Sequence, residues 1–572
     1  MVDKDVSKRR WAVRYGPEAV LLLMALALLV CGLGQRGLRG SEGRWAEISR
    51  EMLLTGDYFH PTMAGNAYYD KPLMTYWAIV GLSRVTGRLD EFIMRLPSAL
   101  AGVLALGATM VLGRRLWSPA VGRLAGGLML CSYGLLVYSR EASADAENLA
   151  AIILAVAWYF VRRDKAGFFD FLVFYLILFL GAQMKGLAAV VVPILAIGPD
   201  VLRAGRWRMF LRPGHLAALA VGVLFYFLPF LYGSLNQPAG YSTNGLALVF
   251  HENILRYFRP FDHMDPIYTY LWAVPLFLVP WIPLLIGAMV TTVRQWKQGP
   301  SDRWLLQALL LVFLFFTLSG SRRSYYILPI LPLCILWMAS FLDRLHQEGF
   351  AEHVRRAIQI QNSLFLIAAI VETVIVPAGL WYLRTVKGLW LPAGLEMSFA
   401  AVGCASLLVA GIGPRLTARF RLAEGPTVSL WNMILVALLL QGGFFVWQWG
   451  VMGSSRTEAE FASRARSLAA EVPPGRVAFY PQPINHLLFY TQWDPRTPAP
   501  NREEDLKRFL SAGPSALIIS EMDFLPASAA ERLGLREVAA ERTFWFISAK
   551  HAENRGIAYR FEKTTTPARS DK

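Results

Sequence analysis

The chain has 572 residues, of which 55% are hydrophobic and only 17% are charged, and its formal net charge is +16. Soluble domains carry roughly 25% charged residues, so this composition excludes an ordinary soluble globular protein. The basic excess does not indicate nucleic-acid binding, because it is spread over many short loops and no basic–aromatic module occurs. All four cysteines lie in apolar segments without a CxxC pair, so the sequence supports neither a disulfide framework nor a thiolate metal site.

Apolar runs of about 15–20 residues recur along the chain, and most are long enough to cross a bilayer. They lie near residues 17–34, 96–113, 121–138, 147–161, 168–182, 186–200, 215–233, 269–290, 304–319, 326–342, 361–382, 394–412 and 428–446. Basic clusters precede the first run and follow every second run, and the positive-inside rule assigns such clusters to the cytoplasm. We therefore predict about thirteen transmembrane helices, with a cytoplasmic amino terminus and a carboxyl terminus outside.

The first outside loop, residues 35–94, carries an unusual density of charge. Three acids and two arginines fall within Ser41–Glu51, where apolar residues follow a helical stripe. This pattern predicts an amphipathic helix at the membrane surface, and a purely structural helix with charge pairs such as Arg44 with Glu47 is the alternative. Pro72 disfavours a helical conformation for Lys71, so the Asp70-Lys71-Pro72 stretch is predicted to be extended.

Further ionisable groups lie at the outer ends of other runs. Lys185 stands alone between the fifth and sixth runs, where the alternative is a lysine that merely extends to the interface. Arg322 and Arg323 break the positive-inside pattern, and guanidinium groups bind phosphate in a bidentate manner. We predict an outer-leaflet cavity that binds a phosphate-linked lipid through its cations, which are Lys71, Lys185, Arg256, Arg322 and Arg323.

Several motifs carry a family resemblance. They are Glu42–Met52, Gly56–Tyr58, Pro61, Asp70–Leu73, Tyr76–Trp77 and Arg95–Ser98. These motifs resemble the bacterial dolichyl-phosphate-mannose-protein mannosyltransferase-like superfamily, which includes the lipid A aminoarabinose transferases. The resemblance covers residues 10–345 well and the remainder only by topology.

The resemblance implies an α-helical integral membrane protein of the GT-C fold. It further implies an inverting glycosyltransferase at the periplasmic face of the inner membrane, which takes its sugar from undecaprenyl phosphate. The acceptor stays open between lipid A, a protein hydroxyl and another glycan, and the partners expected are these substrates and membrane lipids, not nucleic acid. A transporter or flippase of lipid-linked sugars is the alternative, which the gathering of ionisable residues at one interface disfavours.

The resemblance also implies roles for individual residues. The family aspartate that is taken as the catalytic carboxylate is Ser41 here, so we predict Glu42 as the base and Asp70 as the second catalytic candidate. Asp70 is also the residue at which a divalent cation is left open, and no other cofactor is indicated. Phosphate-binding roles fall on Arg44, Lys71, Lys185, Arg256, Arg322 and Arg323, and substrate contacts on Ser41, Tyr69, Asp145, Tyr325, Tyr326 and His263.

The chain divides into a membrane domain at 1–446 and a soluble-like segment at 447–562. Alternating helix and strand patterns in the second segment predict a small three-layer α/β domain in the periplasm. Its predicted helices are 458–472, 503–510 and 528–533, and its predicted strands are 476–480, 516–520 and 544–549. It has no glycine-rich fingerprint and is assigned no catalysis, and the polar tail 563–572 is predicted to be disordered.

Overall fold

A computed structural model describes residues 2–38, 40–294, 299–344, 351–386, 391–419, 427–452, 458–521, 523–541 and 556–562. Helices α1 to α10 are Val2–Val30, Glu42–Thr55, Met74–Thr86, Glu91–Leu116, Pro119–Leu130, Tyr133–Tyr138, Asp145–Arg162, Phe168–Met184, Ala188–Arg203 and Pro213–Leu235. Helices α11 to α20 are Gly245–Leu248, Arg256–Phe258, Thr269–Phe277, Ile282–Arg294, Pro300–Leu318, Leu331–Asp343, Ala351–Ile370, Val376–Thr385, Leu395–Arg419 and Thr427–Val446. The connections between them include 3₁₀ segments at Arg206–Leu211 and Ser324–Ile330, π-helical segments at Val249–Leu255, Val371–Ile375 and Trp447–Met452, and a hairpin of β1 (Thr62–Met63) and β2 (Asn66–Ala67).

Each predicted apolar run coincides with one helix or with consecutive helices. By length and composition, seven of the described helices could cross a membrane, or eight if α13 and α14 count as one span bent by 115°. The predicted number of thirteen spans is therefore not confirmed, although the predicted helical membrane fold is. Part of the difference arises because apolar runs are divided into shorter helices, as at Pro280, which lacks a backbone N–H and lies in the break between α13 and α14.

Helix α4 organises the packing behind the first outside loop. It contacts α1, α5 and α7 along its length. Gly122 of α5 allows the closest of these approaches, since a Cβ there would lie 2.6 Å from the carbonyl oxygen of Met110. Near its amino-terminal end α4 presents Arg95 to the loop, so the same helix that forms the core also anchors the segment that carries the predicted site.

The carboxyl-terminal segment forms the predicted α/β domain. Its sheet has the order β3 (Val477–Tyr480), β4 (Ser515–Glu521), β6 (Gly556–Glu562) and β5 (Leu535–Ala540), with β3 and β4 parallel and the other pairs antiparallel. Its helices are α21 (Glu458–Ala469), α22 (Asn485–Thr491), α23 (Glu503–Ser511) and α24 (Ala527–Arg532). One sheet face packs on α21 and α22 and the other on α23 and α24, which gives the three layers. The predicted strand 544–549 and the tail 563–572 lie outside the described residues.

Helix α22 joins this domain to α2. Phe489 is buried in the same apolar cluster as Trp45 and Met52 of α2. The Tyr490 hydroxyl accepts a hydrogen bond from the Leu38 N–H at 2.9 Å and donates one to Glu91 at 2.7 Å. The domain therefore supports the back of the first outside loop through both apolar and polar contacts.

Candidate active site

Glu42 is held in a buried ion pair rather than in an open pocket. Its carboxylate accepts from Arg95 Nε at 2.7 Å, from Arg95 Nη2 at 2.9 Å and from the Ala142 N–H at 2.9 Å. Arg36 lies 3.4 Å away, and Glu42 is 2% exposed. Burial would raise the pKa of Glu42, but the pairing with Arg95 and Arg36 holds it below its ordinary value. A carboxylate with this low basicity and this burial is poorly suited to take a proton from an acceptor.

The other acids of α2 also have structural partners. Glu47 forms an i,i+3 ion pair with Arg50, with distances of 2.6 and 2.8 Å. Glu51 accepts from the Thr62 hydroxyl at 2.5 Å and from the Ala64 N–H at 2.6 Å, which fixes the β1–β2 hairpin. The structural alternative predicted an ion pair between Arg44 and Glu47. Arg44 instead forms an ion pair across the loop with Asp70 at 2.9 Å.

Asp70 lies among cations and keeps one oxygen without a partner. Its Oδ2 lies 2.9 Å from Arg44, 3.5 Å from Lys71 and 3.3 Å from the Tyr68 hydroxyl, which donates to it. Its Oδ1 is buried and has no hydrogen-bond partner among the described residues. The stretch is not helical, as the proline motif predicts, but Lys71 lies in a bend rather than in an extended segment.

Arg256 connects this pair to a second acidic group. Its guanidinium lies 2.5 Å from Glu252, 2.5 Å from Asp262 and 2.6 Å from Nδ1 of His263. Glu252 in turn lies 3.9 Å from Lys71. The Tyr326 hydroxyl lies 2.7 Å from the same Nδ1, so His263 joins Arg256 to the segment Ser324–Ile330. The contacts run without interruption from Arg44 to Tyr326.

Lys185 approaches the same group from α8. It follows the last residue of α8 and contacts the carboxylate of Asp145, the first residue of α7. Its ammonium lies over the rings of Tyr325 and Tyr326, at 5.2 and 5.7 Å from their centroids. Burial and the charges of Lys71 and Arg256 lower the pKa of Lys185 to about 7. An anion bound at this position would reverse that trend, because it favours the charged ammonium.

Arg322 and Arg323 occupy different positions in their loop. Arg322 donates to the carbonyl oxygens of Asp265 and Ser319, and its backbone pairs with residues 263–265. Arg323 is 45% exposed and lies 4.0 Å from Asp265. The structure therefore shows Arg322 ordering the loop that presents Tyr325 and Tyr326, and leaves Arg323 more accessible.

Ser41 and Tyr69 take no part in this chain of contacts. Ser41 is exposed at the start of α2 and makes no side-chain capping bond. Tyr69 packs near Phe230, and its buried hydroxyl has no hydrogen-bond partner within the described ranges.

The described residues contain no cluster of three or more His, Cys, Asp or Glu side chains that could hold a metal ion. Asp70, the residue at which a divalent cation was left open, has two cations as neighbours, and their charge opposes a third. Sequence reasoning did not assign site roles to Glu252, Asp262 or Tyr68. Two features of the sequence could have indicated these roles. They are the i,i+4 spacing of Glu252 and Arg256, and the position of Tyr68 two residues before Asp70.

Comparisons with known proteins identify relatives of this chain. Residues 70–232 match the family model described as dolichyl-phosphate-mannose-protein mannosyltransferase. An undecaprenyl phosphate-alpha-4-amino-4-deoxy-L-arabinose arabinosyl transferase from a Pseudomonas aeruginosa strain is 30% identical over 431 residues, which cover 73% of this chain and 74% of that protein. The enzyme of the same name from Edwardsiella ictaluri is 30% identical over 351 residues, which cover 59% of this chain and 61% of that enzyme.

Solved structures show the same fold. ArnT from Cupriavidus metallidurans bound to undecaprenyl phosphate superposes with a TM-score of 0.72 at 21% identity, covering 96% of this chain and 98% of that one. Its apo state gives 0.70 at 20% identity, with coverage of 97% and 98%. The likeness therefore extends over the membrane helices and the carboxyl-terminal domain together.

Proposed function

This chain belongs to the family of the undecaprenyl phosphate-aminoarabinose arabinosyl transferases and is a membrane glycosyltransferase of the GT-C fold, and we propose that it moves a sugar from undecaprenyl phosphate to lipid A. The activity for which its relatives are named supports undecaprenyl phosphate as the carrier and a pentose-type sugar. The proposed orientation follows the positive-inside rule, with the amino terminus in the cytoplasm and the site and carboxyl terminus in the periplasm. In this scheme residues 1–446 form the transferase domain and 447–562 form a periplasmic support domain.

The main support for this proposal is the connected set of charged and polar side chains that runs from Arg44 to Tyr326. It combines three cations that could hold a phosphate, Lys71, Lys185 and Arg256, with a carboxylate that keeps one oxygen unpartnered. Each of these cations is already paired with an acid, so phosphate would displace or share those acids and gain charge-assisted hydrogen bonds. Arg44 completes the set from α2, and Arg323 supplies a further accessible cation at the edge of the loop.

The proposed reaction needs a base and a stabilised leaving group. The acceptor oxygen attacks the anomeric carbon as the bond to the carrier phosphate breaks, with inversion at that carbon. We assign the base role to Asp70 rather than Glu42, because Asp70 Oδ1 has no partner in the part of the chain that the structure describes, whereas Glu42 is enclosed by Arg95. The acceptor proton passes to Asp70, and the undecaprenyl phosphate leaves as an anion held by the surrounding cations.

Substrate contacts in the proposal fall on residues at the edge of this set. We assign the sugar contacts to Tyr325, Tyr326 and His263, because Tyr325 lies beside Lys185 and His263 contacts Tyr326, and we propose that Asp145 holds Lys185 until the donor binds. Tyr69 and Ser41 remain predicted substrate contacts. No divalent cation is included, since Arg44 and Lys71 already supply the positive charge beside Asp70.

Transfer in proteoliposomes tests the function. Purified protein is given undecaprenyl phosphate carrying radiolabelled aminoarabinose, with lipid A, and labelled lipid A is measured. The Asp70→Asn variant is the matched control, because it keeps the shape of the side chain and removes its basicity. Label that reaches a protein or another glycan instead would change the acceptor, and label that crosses the membrane without a product would favour a flippase.

A further inference from the structure

Two segments beside the candidate site are joined through their backbones. They are residues 256–265 and 319–323, and we call them the paired loops. The backbone N–H of Gly320 donates to the carbonyl oxygen of Tyr257 at 2.8 Å, and the backbone of Arg322 pairs with the end of the first loop. The position of one loop relative to the other is therefore set by bonds that do not depend on side-chain charge.

Gly320 allows a close approach of the paired loops. A Cβ at this position would lie 2.7 Å from Cδ of Pro260 and 3.1 Å from the carbonyl oxygen of Tyr257, so a larger residue would push the loops apart. The approach brings the next residue, Ser321, against the first loop, where it is only 4% exposed. Packing of this density leaves the Ser321 side chain little freedom to move.

The Ser321 hydroxyl connects a side chain of the first loop to the backbone of that loop. It accepts a hydrogen bond from Arg256 Nε at 3.3 Å and donates one to the carbonyl oxygen of Asp262 at 3.2 Å. A carbonyl oxygen can only accept, so the hydroxyl hydrogen is directed towards it and a lone pair is left for Nε. Ser321 therefore holds one edge of the guanidinium of Arg256 without using any charge.

The other edge of the Arg256 guanidinium has charged or titratable partners. Nη1 lies 2.5 Å from Glu252, and Nη2 lies 2.5 Å from Asp262 and 2.6 Å from Nδ1 of His263. A phosphate that displaces or shares the two acids changes these contacts. It does not have to change the bond to Ser321, which uses Nε. Because a guanidinium is planar, a fixed Nε also fixes the directions in which both Nη atoms point.

We propose that Ser321 is a positioning residue, which holds the guanidinium of Arg256 in the orientation that binds the phosphate of the donor. This inference rests on the proposed function, in which Arg256 is one of the phosphate-binding cations. Ser321 itself touches neither the phosphate nor the sugar. Its contribution is that an arginine already held at Nε loses less side-chain freedom when the phosphate binds at its Nη atoms.

Binding of radiolabelled undecaprenyl phosphate to the full-length protein in phosphatidylcholine nanodiscs tests the proposal. Ser321→Ala removes the hydroxyl and should weaken binding about fivefold, which is the usual effect of one net hydrogen bond. Ser340→Ala is the matched control and should bind normally. It removes a hydroxyl of similar burial, 5% exposed, which donates to the carbonyl oxygen of Trp337 in α16.

A second comparison separates positioning from a merely structural role. Arg256→Lys replaces the guanidinium plane by a single ammonium, so Ser321 has no plane left to orient. In that background, Ser321→Ala should change the affinity for undecaprenyl phosphate by less than twofold. A hydroxyl that only stabilised the paired loops would give the same fivefold loss in both backgrounds, because independent effects add.

Two results would overturn the proposal while leaving the proposed function intact. One is native affinity in Ser321→Ala, and the other is an equal loss in the native and Arg256→Lys backgrounds. Failure of the native protein to bind undecaprenyl phosphate would instead refute the proposed carrier, and this inference with it. Thermal unfolding of the same samples identifies a misfolded variant. If Ser321→Ala does not fold, Ser321→Cys replaces it, because a thiol has a similar shape but is a weak hydrogen-bonding group.

Discussion

Arg95 and Glu42 form a bidentate ion pair in which Nε and Nη2 of the arginine lie 2.7 and 2.9 Å from the two carboxylate oxygens. The remaining guanidinium contacts go to the carbonyl oxygens of Leu33, Arg36 and Gly37. This pair therefore ties the start of α2 to α4 and to the chain that follows α1. This position indicates that Glu42 stabilises the structure that supports the site and does not react with the substrate.

The first prediction separates stability from chemistry at Glu42 and Asp70. Glu42→Gln removes the charge that neutralises buried Arg95, and breaking a buried pair costs about 3–5 kcal/mol. We expect a clearly lower midpoint of thermal unfolding, with near-normal turnover per folded molecule. Asp70→Asn should keep the unfolding midpoint and lower turnover by about a hundredfold or more, because the base is lost.

Thermal unfolding and single-turnover transfer, measured on the same preparations of the two variants, check this prediction. A stable Glu42→Gln protein with no turnover, beside an active Asp70→Asn protein, would return the base role to Glu42.

The second prediction concerns the pH dependence of donor binding. The pKa of Lys185 is lowered to about 7. Its side chain is therefore protonated and charged below this pH, and it loses the charge as the pH rises above it. A phosphodiester donor keeps its charge across this range, so affinity for the donor should fall between pH 6 and about pH 8.5. Binding titrations should show this fall in the native protein and a flat profile in Lys185→Arg, whose side chain stays charged. The same slope in both proteins would assign the titration to another group.

The third prediction concerns the branching of Arg256. Arg256 contacts Glu252 through Nη1 and Asp262 and His263 through Nη2, and the single nitrogen of a lysine cannot occupy both positions, so Arg256→Lys should lower turnover by about tenfold or more. The comparison is Arg323→Lys, where the arginine is 45% exposed and its nearest acid is 4.0 Å away, and where we expect less than a threefold effect. Steady-state kinetics with varied donor concentration measure both, and equal losses in the two variants would contradict the central role of Arg256.

The fourth prediction concerns the contact between α2 and α22. A Cβ at Gly43 would lie 2.9 Å from the Cβ of His486, so Gly43→Val must displace one of the two helices. Overpacking of this kind costs about 1–3 kcal/mol. Gly81→Ala is the matched control in α3, because a Cβ there has no neighbouring atom within 4 Å. Thermal unfolding should fall for Gly43→Val and not for Gly81→Ala, and equal midpoints would indicate that α22 lies further from α2.

Composition and hydropathy were enough to predict a helical membrane protein, since each predicted run lies on helices. They did not give the number of spans, because breaks such as the one at Pro280 depend on how helices pack. In the carboxyl-terminal domain, alternating patterns predicted β3 and β4. Strand β5 was missed because Arg536 and Glu537 interrupt its apolar pattern.

The motifs predicted which residues gather but not how each is used. Arg44, Asp70, Lys71, Lys185 and Arg256 lie in one connected set, as their predicted location on one side of the membrane suggested. Glu42 is different, because its partner Arg95 is 53 positions away, and the charge pattern of a single helix cannot reveal such a contact. The role of Arg322 in ordering its loop likewise depends on backbone carbonyls that a sequence does not locate.

The docking of α22 on α2 has a consequence for building hybrid enzymes. Arg50 donates to the carbonyl oxygen of Trp493 at 3.0 Å, and Phe489 completes the apolar cluster under α2. An exchange of carboxyl-terminal domains between two relatives at residue 447 would therefore join foreign halves of one packed surface. A functional hybrid requires that the face of α2 that contacts the domain be transplanted together with that domain, even though Arg50 and Trp493 are 443 positions apart in the chain.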